Sequence, residues 1–322
     1  MDIVIFDTNA YRNLVVSMDA GDIEAEVKKF RRIEEKAPIS AQMHPIVIKE
    51  LLYHVAGERD KLHYTCVNAL NAMYFHCGDA KEFKVVAGFD LQLSNFLFGT
   101  VDSDREKIDL QLGEIVASLA LKGVDYTLQK YQFNLKQIRA YVKETEDFFK
   151  EQLKKFIKKI DPEAESWSIL QDDKKKRAEA LEYFKSQEIE DEIAAAYITL
   201  IHDNLVKRGL ITAMSDVQLK ERIQIFKEAY QAGIGLYKEV LQKFVQPDFN
   251  MDAKSRENFV WDIHLMFIVG NHRESVTGSS LFLVTSDKEM RNAAKKNGFD
   301  LKVFSFPEYL EVITGRIDGF EE

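Results

Sequence analysis

Residues 2–9 read Asp-Ile-Val-Ile-Phe-Asp-Thr-Asn, and this stretch decides the fold class. The apolar run from Ile3 to Phe6 has no polar alternation, which describes a strand covered on both faces, as in a parallel sheet. Asp7 then stands at the carboxyl end of that strand, the edge where open α/β sheets gather ligands. The pattern continues with a helix over 23–36, carrying Val27, Phe30 and Ile33 on one face, and a short strand over 38–43. Pro45 suits the first turn of a further helix with Ile48, Leu51, Leu52 and Val55 on its apolar face. Glu50 lies in that helix, beside the apolar positions.

The same alternation returns near the other terminus. A helix over 258–269 carries Asp262, a buried-type strand runs over 280–284, and a helix follows Asp287. Ser286 and Glu289 have capping-box spacing, Lys295 and Lys296 fall in the last turn, and Gly298 suits the position just past the end. Residues 301–306 read as another strand, and Pro307 opens a last helix that ends near Gly315. Strand and helix in turn imply a mostly parallel sheet.

Between these parts the character changes. From Glu58 to about Gln246 only Pro162 interrupts a helical periodicity. Leu128, Tyr131, Leu135, Ile138, Val142, Thr145 and Phe149, continued by Leu153, Phe156 and Ile160, mark one long amphipathic helix. Other helices are expected over 104–121, 174–207 and 216–244, with Asp161-Pro162 as a bend. The chain is therefore read as an α/β domain built from 1–57 and 247–322, with an α-helical insertion at 58–246.

Composition narrows the function classes. With 322 residues, 46% of them hydrophobic, there is ample material for a core. No apolar stretch approaches the length of a membrane span. Met1 leads straight into a strand, so the expectation is a cytoplasmic protein without a secretory signal. The two cysteines, Cys66 and Cys77, suit a reducing compartment, and with His63 and His76 they match no standard zinc spacing. A net charge of −9 argues against coating nucleic acid by bulk attraction, yet it is compatible with an acidic metal site.

Asp7, Glu50, Asp262 and Asp287 are the candidate site. Two carboxylates about 4 Å apart repel by roughly 4 kcal/mol at an effective dielectric near 20, so a cluster of them needs protons or cations. Hard oxygen donors suit Mg²⁺ or Mn²⁺. Each acid also has a plainer role open to it: Asp7 or Asp287 as a turn residue or helix cap, Glu50 or Asp262 as a polar position on an amphipathic helix. For the third acid, Glu190-Asp191-Glu192 is a rival, and Asp262 is preferred because its helix leads directly into the strand that ends at Asp287.

Taken in order, Ile5-Phe6-Asp7-Thr8-Asn9, Ile48-Lys49-Glu50-Leu51-Leu52, Asp262 in an apolar helix and Thr285-Ser286-Asp287 resemble the motifs of the PIN domain, a metal-dependent nuclease family. The resemblance covers roughly 1–55 and 258–322 and departs from small members in the long insertion. It implies a PIN-like, mostly parallel sheet flanked by helices. It also implies that the four acids hold one or two Mg²⁺ or Mn²⁺ ions for endoribonuclease chemistry, with Asn9 and Thr285 orienting them. RNA is then the expected substrate, with DNA open on the same fold, and a toxin or defence role is open by analogy. A regulatory protein or antitoxin and self-association are conceivable partners, and a catalytically inactive RNA-binding scaffold is the alternative. A haloacid-dehalogenase phosphatase is disfavoured, because Asn9 stands where its second acid is needed. Lys154, Lys155, Lys174 and Lys175, around the bend at Pro162, are candidate phosphate contacts.

Overall fold

The computed structural model of the chain describes residues 1–57, 60–78, 85–249, 259–270 and 279–318. Four strands form one parallel sheet: β1 (Asp2–Phe6), β2 (Ile39–Ala41), β3 (Leu281–Val284) and β4 (Val303–Phe304), in the order β2-β1-β3-β4. Val4 pairs with Ala41 on one side of β1, and Phe6 pairs with Val284 on the other. The chain thus leaves β1 toward β2 on one side and returns to β3 on the other. That reversal makes the carboxyl ends of β1 and β3 a topological switch point, where a crevice opens in α/β sheets.

The sheet-forming part carries α1 (Thr8–Val15), α2 (Ile23–Lys36) and α3 (Pro45–Val55). The helical segment follows with α4 (His63–Cys77), α5 (Phe89–Phe98), α6 (Ser103–Lys122), α7 (Val124–Lys130), α8 (Gln132–Ile160) and α9 (Ser168–Asp172). It continues with α10 (Lys174–Lys185), α11 (Gln187–Lys207), α12 (Asp216–Ala229) and α13 (Gln231–Phe244). The chain then regains the sheet through α14 (Phe259–Phe267), α15 (Lys288–Lys296) and α16 (Phe306–Asp318). No helix among the described residues is long and apolar enough to cross a membrane.

Local chemistry explains where these elements depart from the sequence reading. The expected helix over 174–207 is two, because the Ser186 hydroxyl accepts the Ile189 N–H and caps a new helix. The expected helix over 216–244 breaks at buried Tyr230, and the long amphipathic run breaks at Tyr131 before α8 begins. Residues 301–306 yield only two strand residues. Leu301 is 77% exposed, and Lys302 N–H still closes a turn onto Phe299. The cap of α15 is Asp287 rather than Ser286: its Oδ1 accepts the N–H groups of Glu289 and Met290. Gly298 follows that helix at φ 79°, a conformation open to glycine, as expected. The expected start of the Asp262 helix at 258 lies outside the described residues.

The core is continuous between sheet and helical segment. α4 packs on α1, α2 and α3, α8 on α3, and α5, α8 and α13 on α14. At the α13–α14 crossing, a Cβ on Gly233 would lie 2.2 Å from Phe267 Cδ1, so only glycine permits the approach. A buried polar chain braces α1 from beneath. His76 Nε2 lies 2.7 Å from Glu34 Oε2, its Nδ1 3.0 Å from the Tyr11 hydroxyl, and Tyr309 donates to Glu34 Oε1 at 2.7 Å. The Glu34 carboxylate only accepts, so it fixes Nε2 as the imidazole donor and leaves Nδ1 for Tyr11. Cys66 and Cys77 are buried thiols outside any disulfide, and Cys77 Sγ lies 3.3 Å from the same Tyr11 hydroxyl.

Candidate active site

Asp7 sits at the end of β1, 3% exposed, and both of its oxygens are used. Oδ1 accepts the Ala10 N–H at 2.5 Å and caps α1, while Oδ2 accepts the Thr285 hydroxyl at 2.5 Å. Asp7 thus caps α1 and at the same time ties the end of β1 to the end of β3. Thr285 in turn accepts the Asp287 N–H at 2.9 Å, and Arg291 donates to the Thr285 carbonyl at 2.8 Å. The two strand ends of the switch point are stitched together by these bonds.

Glu50 reaches the same place from α3, where the Thr8 hydroxyl donates to its Oε2 at 2.6 Å. Asp262 comes from α14, and its carboxylate accepts no hydrogen bond among the described residues. Burial pushes Asp7 up to about 6 against the bonds from Thr285 and Ala10, and the charge of Asp287 adds to the rise. Burial also pushes Glu50 up to about 7. The Thr8 bond opposes that rise, the charges of Asp7 and Glu146 add to it, and the Arg12 guanidinium counters them. Asp262 is held well above the usual carboxylate range, first by burial and then by the charges of Glu50, Asp287 and Asp7. Asp262 thus lies within electrostatic reach of each of the other three acids.

Among the described residues, no group of three or more His, Cys, Asp or Glu side chains lies close enough together to hold a metal ion. The acids share a field rather than a sphere. The donor chemistry nevertheless suits a hard divalent cation: the oxygens are carboxylate, burial and mutual repulsion raise the pKa values of Asp7, Glu50 and Asp262, and Asp262 accepts no hydrogen bond among the described residues.

Several residues of the site went unread in the sequence. Thr8 does the orienting work expected of Asn9, whose own side chain is exposed. The signal was present, since Thr8 is the middle residue of the Asp7-Thr8-Asn9 run. Arg12 follows one turn later on α1. Glu146, on α8, accepts the Trp261 indole N–H at 3.0 Å and so ties the helical segment to the residue beside Asp262. No motif marks Glu146, because only the packing of α8 on α3 and α14 brings it there.

The remaining candidates lie elsewhere. Asp191 pairs with Lys227, Glu190 with Lys238, and Glu192 with Lys159, so that acidic run is engaged within the helical segment. Lys154 pairs with Glu151 at 2.6 Å, Lys155 donates to Gln152 at 2.8 Å, and Lys175 lies 3.9 Å from Glu179. Lys174 is exposed in the first turn of α10. Adjacent acids therefore dilute the positive field at this bend.

No family model matches the chain, and neither a curated protein nor a solved structure matches it.

Proposed function

We propose that the chain is a metal-dependent endoribonuclease of PIN-like architecture. The observation that supports it most directly is the Asp262 carboxylate, which accepts no hydrogen bond among the described residues and lies in the field of Asp7, Glu50 and Asp287 at a switch point of a parallel sheet. In this reading Asp7, Glu50, Asp262 and Asp287 would hold Mg²⁺ or Mn²⁺. When bound, such a cation supplies charge neutralisation of a phosphodiester and a lowered pKa for water.

The chain's own contribution is preorganisation. Thr285 fixes Asp7, Thr8 fixes Glu50, and the α15 backbone fixes Asp287 through its cap. These bonds hold the carboxylates in place against mutual repulsion, which favours productive geometry before substrate arrives. Arg12, whose charge acts on Glu50, and Arg291, bonded to the Thr285 carbonyl, would be the cations available to a phosphate in this reading. The site, rather than the bend at Pro162, is then the main point of phosphate contact.

The test is cleavage of mixed single-stranded RNA and DNA by the full chain with Mg²⁺, Mn²⁺ or chelator. RNA cleavage that chelator stops is the expected result. Cleavage of DNA alone would move the reading to a deoxyribonuclease. RNA binding without cleavage under any divalent ion would move it to a scaffold.

A further inference from the structure

A groove of about 980 Å³ opens on the far side of α3 and α14 from the carboxylates. Lys49 lines it while its neighbour Glu50 faces the acids, and Val260 and His264 line it while Asp262, two residues from each, does not. Successive helical residues diverge by about 100°, so the two helices present the groove on one face and the acid site on another. The opposite wall is built by α8 and α11, and the long sides are apolar and aromatic, with Phe89, Phe149, Phe156, Tyr197 and Tyr237 among them.

One polar group in this wall lacks a partner. Lys49 is 7% exposed, its Nζ lies 4.4 Å from the Tyr141 ring centroid, and it makes no hydrogen bond or ion pair among the described residues. The other charges near it are committed. Arg105 donates to Asp90 at 3.0 Å and to the Tyr141 hydroxyl at 3.2 Å, and Asp109 accepts the Gly88 N–H at 3.2 Å. An ammonium on a mostly buried side chain, with no acceptor among the described residues, favours a ligand that supplies one.

We infer that the groove binds a small amphiphile, with its apolar or aromatic body against the α8 and α11 walls and a single anionic head on Lys49. Its volume lies within the range of pockets that enclose small organic ligands. Charge complementarity at Lys49 selects the head, and the aromatic side chains of the walls select an apolar body. Because α3 and α14 carry both sites, the ligand is placed to act as an effector of the acid cluster. The binding claim itself stands independently of the nuclease reading.

The test uses the full chain with anilinonaphthalene sulfonate as fluorescent probe, and decanoate, decanol and uridine monophosphate as competitors. One saturable site is expected, from which decanoate displaces the probe at least tenfold more effectively than decanol. Lys49→Met should abolish that preference while leaving the melting temperature and circular dichroism near wild type. If Lys49→Met fails to fold, Ala196→Trp, at an exposed groove position, should block the probe without touching Lys49. Absence of saturable binding, equal displacement by decanoate and decanol, displacement by uridine monophosphate alone, or wild-type probe binding in Ala196→Trp would each overturn the inference.

Discussion

The Thr285 hydroxyl donates to Asp7 Oδ2 at 2.5 Å, across 278 positions of sequence. The bond joins the ends of β3 and β1, and through Thr285 it also holds the Asp287 backbone. A single side chain therefore sets the spacing of two candidate metal-holding acids, and each of its bonds can be tested.

Thr285→Val keeps the shape of the side chain but removes both bonds. Asp7 then loses an interaction that favours its ionised form, and the Asp287 N–H loses its acceptor. Stability should fall by about 1–3 kcal/mol in urea titrations, and Thr285→Ser should restore most of it. In the cleavage assay the acid limb of the pH profile should move to higher pH in Thr285→Val, since the Asp7 carboxyl becomes harder to ionise.

Asp7→Asn preserves volume and removes a charge that the bound cation would need. Cleavage should drop ~100-fold or more, in line with loss of one strongly placed electrostatic group. At neutral pH the apo protein should melt close to wild type, because relief of carboxylate repulsion offsets the one acceptor that the amide cannot offer to Thr285 and Ala10. Wild-type cleavage by purified Asp7→Asn would refute the proposed mechanism.

Stability of the metal-free chain should decline as pH rises. Asp7, at about 6, and Glu50, at about 7, both lie above their ordinary values of 3.8 and 4.5. The folded chain therefore keeps protons that the unfolded chain has already released. This contribution is fully present below about pH 4 and is lost as pH rises through 6 to 7. A shift of about two units at Asp7 corresponds to ~3 kcal/mol as an upper scale. Thermal melts between pH 4.5 and 8 should show the decline, Mg²⁺ should offset it, and Asp7→Asn should flatten it. A melt independent of pH and of Mg²⁺ would contradict the account.

Gly233→Ala tests the seat of α14. The added methyl would meet the ring of the fully buried Phe267 at 2.2 Å. Destabilisation of about 1–3 kcal/mol is expected from overpacking, with cleavage reduced because α14 carries Asp262. A neutral effect on melting would show that the α13–α14 crossing adjusts freely.

The sequence by itself determined the strand–helix alternation at both termini, the end of β1 at Asp7 and the end of β3 at Val284, and the helix that carries Glu50. Those features are local, written in apolar runs, a proline in a first turn and a glycine past a helix end. Helix breaks at Tyr131 and Tyr230 were invisible, because the periodic pattern runs on through both while tertiary packing buries Tyr230. The neighbourhood of the acids was likewise beyond the pattern. Thr8 rather than Asn9 meets Glu50, because which side chain reaches that carboxylate depends on how α3 packs beside the start of α1. Glu146 and the groove at Lys49 belong wholly to the tertiary structure. They arise where α8 packs on α3 and α14, and a contact between residues this far apart in the chain leaves no periodic trace in either segment.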